Sequence, residues 1–534
     1  MKDTINNRCT FAIISHPDAG KTTMTEKIIY HGNVIRETGM VKSKKGQYAK
    51  SDWMELEKQR GISITSSVLS FNYGERSIHL LDTPGHKDFS EDTYRTLTAV
   101  ESALMMIDSA KGVEMQTKKL MEVCRLRDTP IITFMNKFDR DALNPYELID
   151  NVESICNIQC CPMNWPIGDG VNFKGIYDLN HKIIIKFTPN KENFILETIP
   201  APDLDSTDIV NFCGMENIEK LKEDLELIQG VLPEFSKTEF LAGKQTPVFF
   251  GSALYSFGVT TLVNFIADFA PRPLSREALL PPFDHNSEKI SISSGDSTFS
   301  GFIFKIQANM DKNHRDRIAF MRICSGSFRK GRKVFNTRTN KEVKIASPVF
   351  FQAQDREVVE HALPGDIIGI HDNGKLQIGD TFTEGKKIKF SGIPNFAPEI
   401  FRTVLLKDPL KSKQLEKGLT QLSEEGTVQL FNKKTTNEKI LGAVGVLQFE
   451  VVQFRLENEY GVRANYEGHS FCGIRWLKFH SESSKNSFIN NYANVIAFDH
   501  KKRVCFGVKS DWDLKLAMDK NPDVEFYVNS DYAN

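Results

Sequence analysis

The sequence predicts an α/β domain with a doubly wound, largely parallel sheet, followed by a β-barrel domain and a C-terminal α+β domain. Three observations predict it. Strand and helix signals alternate through about residue 270. Ser15-His16-Pro17-Asp18-Ala19-Gly20-Lys21-Thr22 lies between an apolar, strand-like run and a helix-like stretch. Beyond the Pro- and Ser-rich residues 271–298, short apolar runs separated by Gly-bearing turns replace the alternation. The 534 residues suffice for about three or four domains. The expected division is 1–272 for the α/β domain, with a subdomain inserted at about 160–244, then 273–298 as linker, 299–389 as barrel and 390–534 as α+β domain.

The elements follow in order. Phe11-Ala12-Ile13-Ile14 reads as a buried strand and 24–30 as a helix. Strands over 68–73 and 78–81 flank Gly74-Glu75 as a hairpin. A helix is expected over 91–99, a strand over 103–107, a helix over 113–126 and a strand over 131–135. Asn144 as N-cap and Pro145 in the first turn open a helix through 156. The stretch 160–244 is too long for a plain connection and reads as helical around 217–228. Pro247-Val248-Phe249-Phe250 closes the alternation as a strand. Short strands over 302–306, 317–323, 333–336, 343–345, 366–370 and 380–382 suggest the barrel. Helices over 411–424 and 447–460 with strands over 427–431 and 440–444 suggest a small sheet with helices on one face. No repeat or low-complexity region interrupts the chain.

The loop Ser15 to Thr22 carries the first chemistry. Successive N–H groups at a helix N-terminus surround an anion. Gly20 lets the main chain approach phosphates with no Cβ in the way. Lys21 supplies a point charge for the β- and γ-phosphates, and Thr22 a hydroxyl for Mg²⁺. Ser15 stands where the general pattern has its first Gly, a position that needs a tight turn more than close approach.

Asn136-Lys137-Phe138-Asp139 follows a strand in the order expected after a phosphate loop. The Asp139 carboxylate can accept from guanine N1–H and the 2-amino group, where adenine offers no donor, so guanine is favoured steeply. Lys137 can lay its stem along the base, and Asn136 can tie this loop to the phosphate loop. Between the two lies Asp82-Thr83-Pro84-Gly85-His86. Asp82 can hold Mg²⁺ through water, Gly85 can give its N–H to the γ-phosphate, and His86 stands where the attacking water must be oriented, as base or as positioner. In Arg60-Gly61-Ile62-Ser63-Ile64-Thr65 a hydroxyl could complete the Mg²⁺ shell while the γ-phosphate is bound, and the polar residues 40–58 suit a mobile switch. Ser252-Ala253 could supply a backbone N–H to guanine O6.

A formal net charge of −1 gives no global field for a polyanion. Basic clusters at Lys42, Lys44 and Lys45, at 407–417 and at 500–503 could still dock on RNA locally. The nine cysteines are scattered without Cys-x-x-Cys, so Cys156, Cys160 and Cys161 read as structural thiols in a reducing compartment. The polar first ten residues lack a signal-peptide core, and no apolar run approaches the ~20 residues of a membrane helix. A cytoplasmic protein, monomeric in solution and without membrane attachment, is expected.

The run Asp52-Trp53-Met54-Glu55-Leu56-Glu57-Lys58-Gln59-Arg60-Gly61, together with Asp82 to His86, resembles the translational GTPases, in particular their peptide chain release factor 3 branch. So do Phe89-Ser90-Glu91-Asp92-Thr93-Tyr94-Arg95-Thr96-Leu97, Gly392-Ile393-Pro394-Asn395-Phe396-Ala397-Pro398-Glu399 and Gln421-Leu422-Ser423-Glu424-Glu425-Gly426. The resemblance covers nearly the whole chain and is weakest beyond about residue 467. It implies a cytoplasmic factor that binds GTP or GDP with Mg²⁺ and hydrolyses GTP on the ribosome, meeting ribosomal RNA and proteins. There it drives the codon-reading release factor off after peptide release. By position it assigns Ser15 to Thr22 to phosphates and Mg²⁺, Asp82 to His86 to the γ-phosphate, Asn136 to Asp139 to guanine, and Ser63, with Thr65 as alternative, to the switch hydroxyl. A translocase or ribosome-protection factor like elongation factor G needs further C-terminal domains to reach the decoding site. A codon-reading release factor needs a Gly-Gly-Gln, and the chain has only Lys45-Gly46-Gln47. A GTP-hydrolysing subunit of a metabolic enzyme would leave the release-factor stretches without a reason, and a dead site would leave Lys21, Thr22, Asp82, His86 and Asp139 without one.

Base recognition yields the first test. Asp139→Asn should weaken GTP and favour xanthosine triphosphate, because an amide N–H meets xanthine's 2-carbonyl. Competition binding with the two nucleotides checks this, and an unchanged preference would refute the role.

Overall fold

The computed structural model describes residues 5–31, 57, 63–168, 170–188, 195–283, 286–308, 317–345, 348–352, 355–393 and 397–528. Of the sequence expectations, the mobile segment 40–58 (Glu57 excepted), Arg60-Gly61-Ile62, the Lys42, Lys44 and Lys45 cluster, and Pro394-Asn395-Phe396 lie outside the described residues.

The first sheet has seven strands: β1 (Arg8–Ser15), β2 (Ser67–Tyr73), β3 (Arg76–Asp82), β4 (Ser102–Asp108), β5 (Ile131–Asn136), β6 (Gln159–Pro162) and β7 (Gln245–Phe250). Their order is β2-β3-β1-β4-β5-β7-β6. Only β2, joined to β3 by the expected hairpin, runs antiparallel. Both faces are covered, so the central strands β1, β4 and β5 are largely apolar and their residues divide by period two. Ala12 and Ile14 of β1 with Ala103, Met105 and Ile107 of β4 enter one core cluster. Phe11 and Ile13 with Leu104 and Met106 enter the other. Helices α1 (Lys21–His31), α2 (Ser90–Leu97), α3 (Met115–Arg125), α4 (Pro145–Cys156) and α5 (Val259–Phe269) belong to this unit. Asn144 caps α4 as expected, its side chain accepting from the Tyr146 N–H at 2.9 Å.

The insertion differs from expectation. It contains the expected helix, Met215–Val231, but opens with a four-stranded antiparallel sheet of Asn164–Ile167, Gly175–Asp178, Ile183–Thr188 and Ile195–Pro200. Strands of four to six residues broken by Pro and Gly leave too little alternation to read. Trp165, 1% exposed, fastens the insertion: its Nε1–H donates to Asp224 Oδ2 at 2.9 Å, and its ring meets Phe250 of β7 at 5.3 Å.

Residues 271–298 are not a plain linker. Arg276–Leu279 pairs antiparallel with Lys289–Ile292 on one side and with Lys389–Phe390 on the other. The prolines lie outside these strands, so composition hid a short local pair that Lys389–Phe390 extends. Next comes an eight-stranded antiparallel sheet in the order Lys341–Lys344, Lys333–Asn336, Thr381–Thr383, Ser300–Ala308, Arg317–Ser325, Ile367–His371, Val349–Gln352, Asp355–Val358. The last unit is not a small sheet. It has eight strands, contributed by residues from Ile400 to Tyr527. Two of its helices, Ser412–Glu424 and Val446–Tyr460, pack Leu415, Leu419, Leu422, Phe449, Val452 and Leu456 against Leu430 and Leu441. The alternate residues Phe431 and Ile440 join Trp476 in a second cluster.

A polar junction fixes the middle sheet on the first. Arg322, 1% exposed, donates to Thr10 Oγ1 at 2.7 Å, to the Gly365 carbonyl and to Glu101 Oε1. Arg276 reaches the same Glu101 oxygen at 2.8 Å. Asp366 accepts from Arg8 Nε at 2.8 Å and meets His79 Nε2 at 3.1 Å. Burial alone would raise the Asp366 carboxyl, but the His79 hydrogen bond and charge, with Arg8 and the Leu363 N–H, hold it below the usual carboxylate range. Removing one partner leaves a buried charge uncompensated, which costs about 3–5 kcal/mol. Arg322→Met should therefore lower the urea midpoint by an amount worth about 3 kcal/mol. An unchanged midpoint would mean that the junction adds no stability.

Candidate functional site

Parallel pairing sends the carboxyl ends of β1, β3, β5 and β7 to one edge, where the motif loops leave the sheet. The phosphate loop leaves β1 and enters α1. It turns through Asp18 at φ +65° and Gly20 at φ +94°. A Cβ on Gly20 would lie 2.2 Å from Asn136 Nδ2, so glycine is required both by the backbone and by a neighbour. Asn136, 2% exposed, ties the loops together as the sequence suggested. Its Nδ2 donates to the Ala19 carbonyl at 2.7 Å, and its Oδ1 accepts from the Ala253 N–H at 2.8 Å. The next residue, Lys137, adopts φ +75° and extends Nζ to Asp108 Oδ2 at 2.7 Å. Phe138 is buried edge-on to Phe250.

Three buried polar atoms around this edge have no hydrogen-bond partner among the described residues: Ser15 Oγ, His16 Nδ1 and Asp139 Oδ1. Such atoms are costly unless a ligand or water meets them. A carboxylate oxygen in that state suits N–H donors of a base, and a loop of N–H groups with a serine hydroxyl suits phosphate oxygens. The other His16 nitrogen lies 3.3 Å from Glu114 Oε1.

Lys21, 6% exposed, forms a tight ion pair with Asp82 Oδ1. Its Nζ and the Thr22 hydroxyl each stand 3.5 Å from Ser63 Oγ. The alternative hydroxyl, Thr65, turns away: its N–H and Oγ1 lie 3.1 and 3.4 Å from Glu57 Oε1, which also accepts from the Ile64 N–H at 2.9 Å. The loop after Asp82 is pinned by Thr83 Oγ1 donating to the Ile13 carbonyl at 2.6 Å and by Thr93 Oγ1 donating to the Pro84 carbonyl at 3.1 Å. Gly85 lies on the phosphate loop, where a Cβ would come within 3.3 Å of Pro17 Cα and N. His86 is part-exposed, its Nδ1 accepting from the Asp88 N–H at 3.2 Å and lying 3.4 Å from Asp88 Oδ1.

One expectation is corrected. The Ser252 N–H donates to the Phe257 carbonyl at 3.1 Å and the Ala253 N–H to Asn136. Both amides are engaged within the protein, so in this arrangement neither is open to a base. Glu57 and Asp88 were not singled out by sequence reasoning. Asp88 had a signal, standing two residues beyond His86; Glu57 sits in the quoted 52–61 run with nothing to mark it from its neighbours. Among the described residues no group of three or more His, Cys, Asp and Glu side chains could hold a metal ion. Cys156, Cys160 and Cys161 are buried and free, and burial pushes all three thiols up. No helix among those described is long and apolar enough to cross a membrane.

Residues 6–272 match the family model of the elongation factor Tu GTP binding domain. Residues 298–385 match elongation factor G domain 2, and residues 390–518 match the C-terminal domain of class II release factor RF3. Among solved structures, a crystal structure of a Thermus thermophilus protein is similar with a TM-score of 0.69 at 21% identity, over 89% of this chain and 71% of that one. At that identity the likeness speaks for the fold alone. With a GTP-binding model spanning half its length and a release-factor model following, the chain belongs to the translational GTPases, in the elongation factor G and release factor RF3 family.

Proposed function

We propose that this chain is a ribosome-dependent GTPase of translation termination that promotes dissociation of the codon-reading release factor after peptide release. The observation that carries this reading is the match of residues 390–518 to the RF3 C-terminal domain behind a GTP-binding domain. The first two matched models are shared with elongation factors, so the third separates termination from translocation. The reading divides the chain at 1–272, 273–298, 299–389 and 390–534, with the second domain as a β-barrel; its eight antiparallel strands support an all-β domain. It places a monomer in the cytoplasm, with the ribosome and release factors as partners.

In this reading the Asp139 carboxylate accepts the guanine N–H groups, its unpartnered Oδ1 taking one of them, and Asn136 holds the base loop against the phosphate loop. Asn136 also holds Ser252-Ala253 as a wall of the base site. The N–H groups of residues 15–22 and the Lys21 ammonium bind the phosphates, Lys21 leaving Asp82 for them. Thr22, Ser63 and, through water, Asp82 would hold Mg²⁺. Their oxygen donors and the approach of Thr22 to Ser63 fit that ion, which would neutralise charge on the phosphates. Gly85 lies close enough to the phosphate loop for its N–H to meet the γ-phosphate. The Asp88 N–H at 3.2 Å and the Asp88 carboxylate at 3.4 Å both face Nδ1 of His86, which fixes the ring and leaves Nε2 for the attacking water, as base or as positioner.

Three measurements test this reading. His86→Ala should keep nucleotide affinity and lose ribosome-stimulated turnover by roughly a hundredfold or more; equal turnover would remove His86 from the mechanism. Ser63→Ala should weaken Mg²⁺-dependent binding of a GTP analogue while Thr65→Ala leaves it near wild type; the opposite order would reassign the switch hydroxyl. Recycling of a codon-reading release factor on terminated ribosomes should require this protein and GTP. Ribosomes that do not raise the GTPase rate would refute the function.

A further inference from the structure

We infer that Asp88 is a positioning residue through which the C-terminal domain reads the nucleotide state, and that Gly445 is the joint that admits it. The inference rests on the GTPase reading and adds the route by which the site reaches the rest of the chain.

Asp88, 4% exposed, divides its carboxylate between two domains. Oδ2 accepts from the Leu447 N–H at 2.8 Å, at the N-terminus of helix Val446–Tyr460. Oδ1 lies 3.4 Å from His86 Nδ1. A carboxylate at a helix N-terminus satisfies a donor the helix leaves open and meets the positive end of its dipole. Gly445, the residue before this helix, adopts φ −141° and ψ 164°, extended backbone open to any residue. Conformation therefore gives no reason for glycine there. Space does: a Cβ would fall 1.9 Å from Asp88 Cγ and 2.3 Å from both carboxylate oxygens.

The same helix touches the other loop as well. Ile64, adjacent to Ser63, packs with Phe89 and Val451 in a small buried cluster, against which the half-buried Leu447 and Phe454 pack. So one helix contacts the segment whose hydroxyl approaches Thr22 and the segment that follows His86. Both are the loops on which a γ-phosphate would act. A third contact lies on α2, where Arg95 Nη1 stands 3.5 Å from the Gly426 carbonyl. The arrangement with Ser63 near Thr22 is thus the one in which Ile64, Phe89 and Asp88 all meet the helix. Coupling between sites is reciprocal, so docking of the helix favours the triphosphate-bound loops, and the triphosphate favours docking.

The test uses the full chain. In the wild type, amides 447–452 should exchange hydrogen more slowly with a non-hydrolysable GTP analogue and Mg²⁺ than with GDP. Gly445→Ala, far from the nucleotide in sequence and neutral in backbone, should abolish that difference and weaken the analogue relative to GDP by roughly tenfold. Val451→Ala should shift the same ratio in the same direction by less, and decides the matter if Gly445→Ala does not fold. An unchanged analogue-to-GDP ratio in a variant that binds GDP normally would overturn the inference and leave the GTPase reading intact. So would an equal loss for both nucleotides, which marks a packing role alone. A wild-type chain that binds neither nucleotide would overturn the GTPase reading itself, and the relay with it.

Discussion

The amide of Asn136 is the contact on which the site depends. One planar side chain donates to the phosphate loop and accepts from the loop after β7, while its own backbone leads into Lys137 and Asp139. Three loops far apart in sequence are thereby held in one geometry by two hydrogen bonds inside the protein, where water cannot compete for them. The parallel sheet makes this possible. Only because β1, β5 and β7 end at the same edge can one amide span their loops. Gly20 is the complement of that amide, since any side chain there would displace it.

A second set of polar contacts settles how the first two sheets sit together. Glu101, Arg276 and Arg322 are charged groups in a place from which water is largely excluded. Each charge is tolerable because the others and the carbonyl of Gly365 face it. The same logic holds for Asp366 between Arg8 and His79, with Ser70 behind the histidine at 2.8 Å. Geometry of this kind admits few alternatives, because a shift of the middle sheet would strand several charges at once. Among the described residues, the contacts of the C-terminal unit with the nucleotide edge include one carboxylate, a small apolar cluster and an arginine. A lighter interface of that composition suits a contact that forms and parts.

Much of the site was legible because its chemistry is local. The loops at 15–22, 82–86 and 136–139 each hold their functional groups within a few residues, after an apolar run that marks a strand. The residues alone left Ser63 and Thr65 open, and only the family resemblance preferred Ser63. Two hydroxyls two residues apart point the same way in an extended segment, and the Glu57 carboxylate draws one of them away from Thr22. The Ser252-Ala253 amides looked available because nothing nearby in sequence competes for them; Phe257 and Asn136 do so in space. In the fold, the alternating first unit and the change of pattern after it were readable. The strands at 276–279 and 289–292, the sheet inside the insertion and the second half of the last sheet were not. They are short, and their reason for being strands is a partner elsewhere in the chain.

By itself the sequence determined the order of strands and helices around the nucleotide edge and the identity of the groups that meet there. Backbone conformation, charge and hydrogen-bonding type are properties of a residue and its immediate neighbours. The tertiary structure alone decided which hydroxyl faces Thr22, which amides are already engaged, and why a glycine in ordinary extended backbone must stand at 445. Those outcomes depend on distances between segments up to 359 positions apart, and such distances exist only after the units have packed.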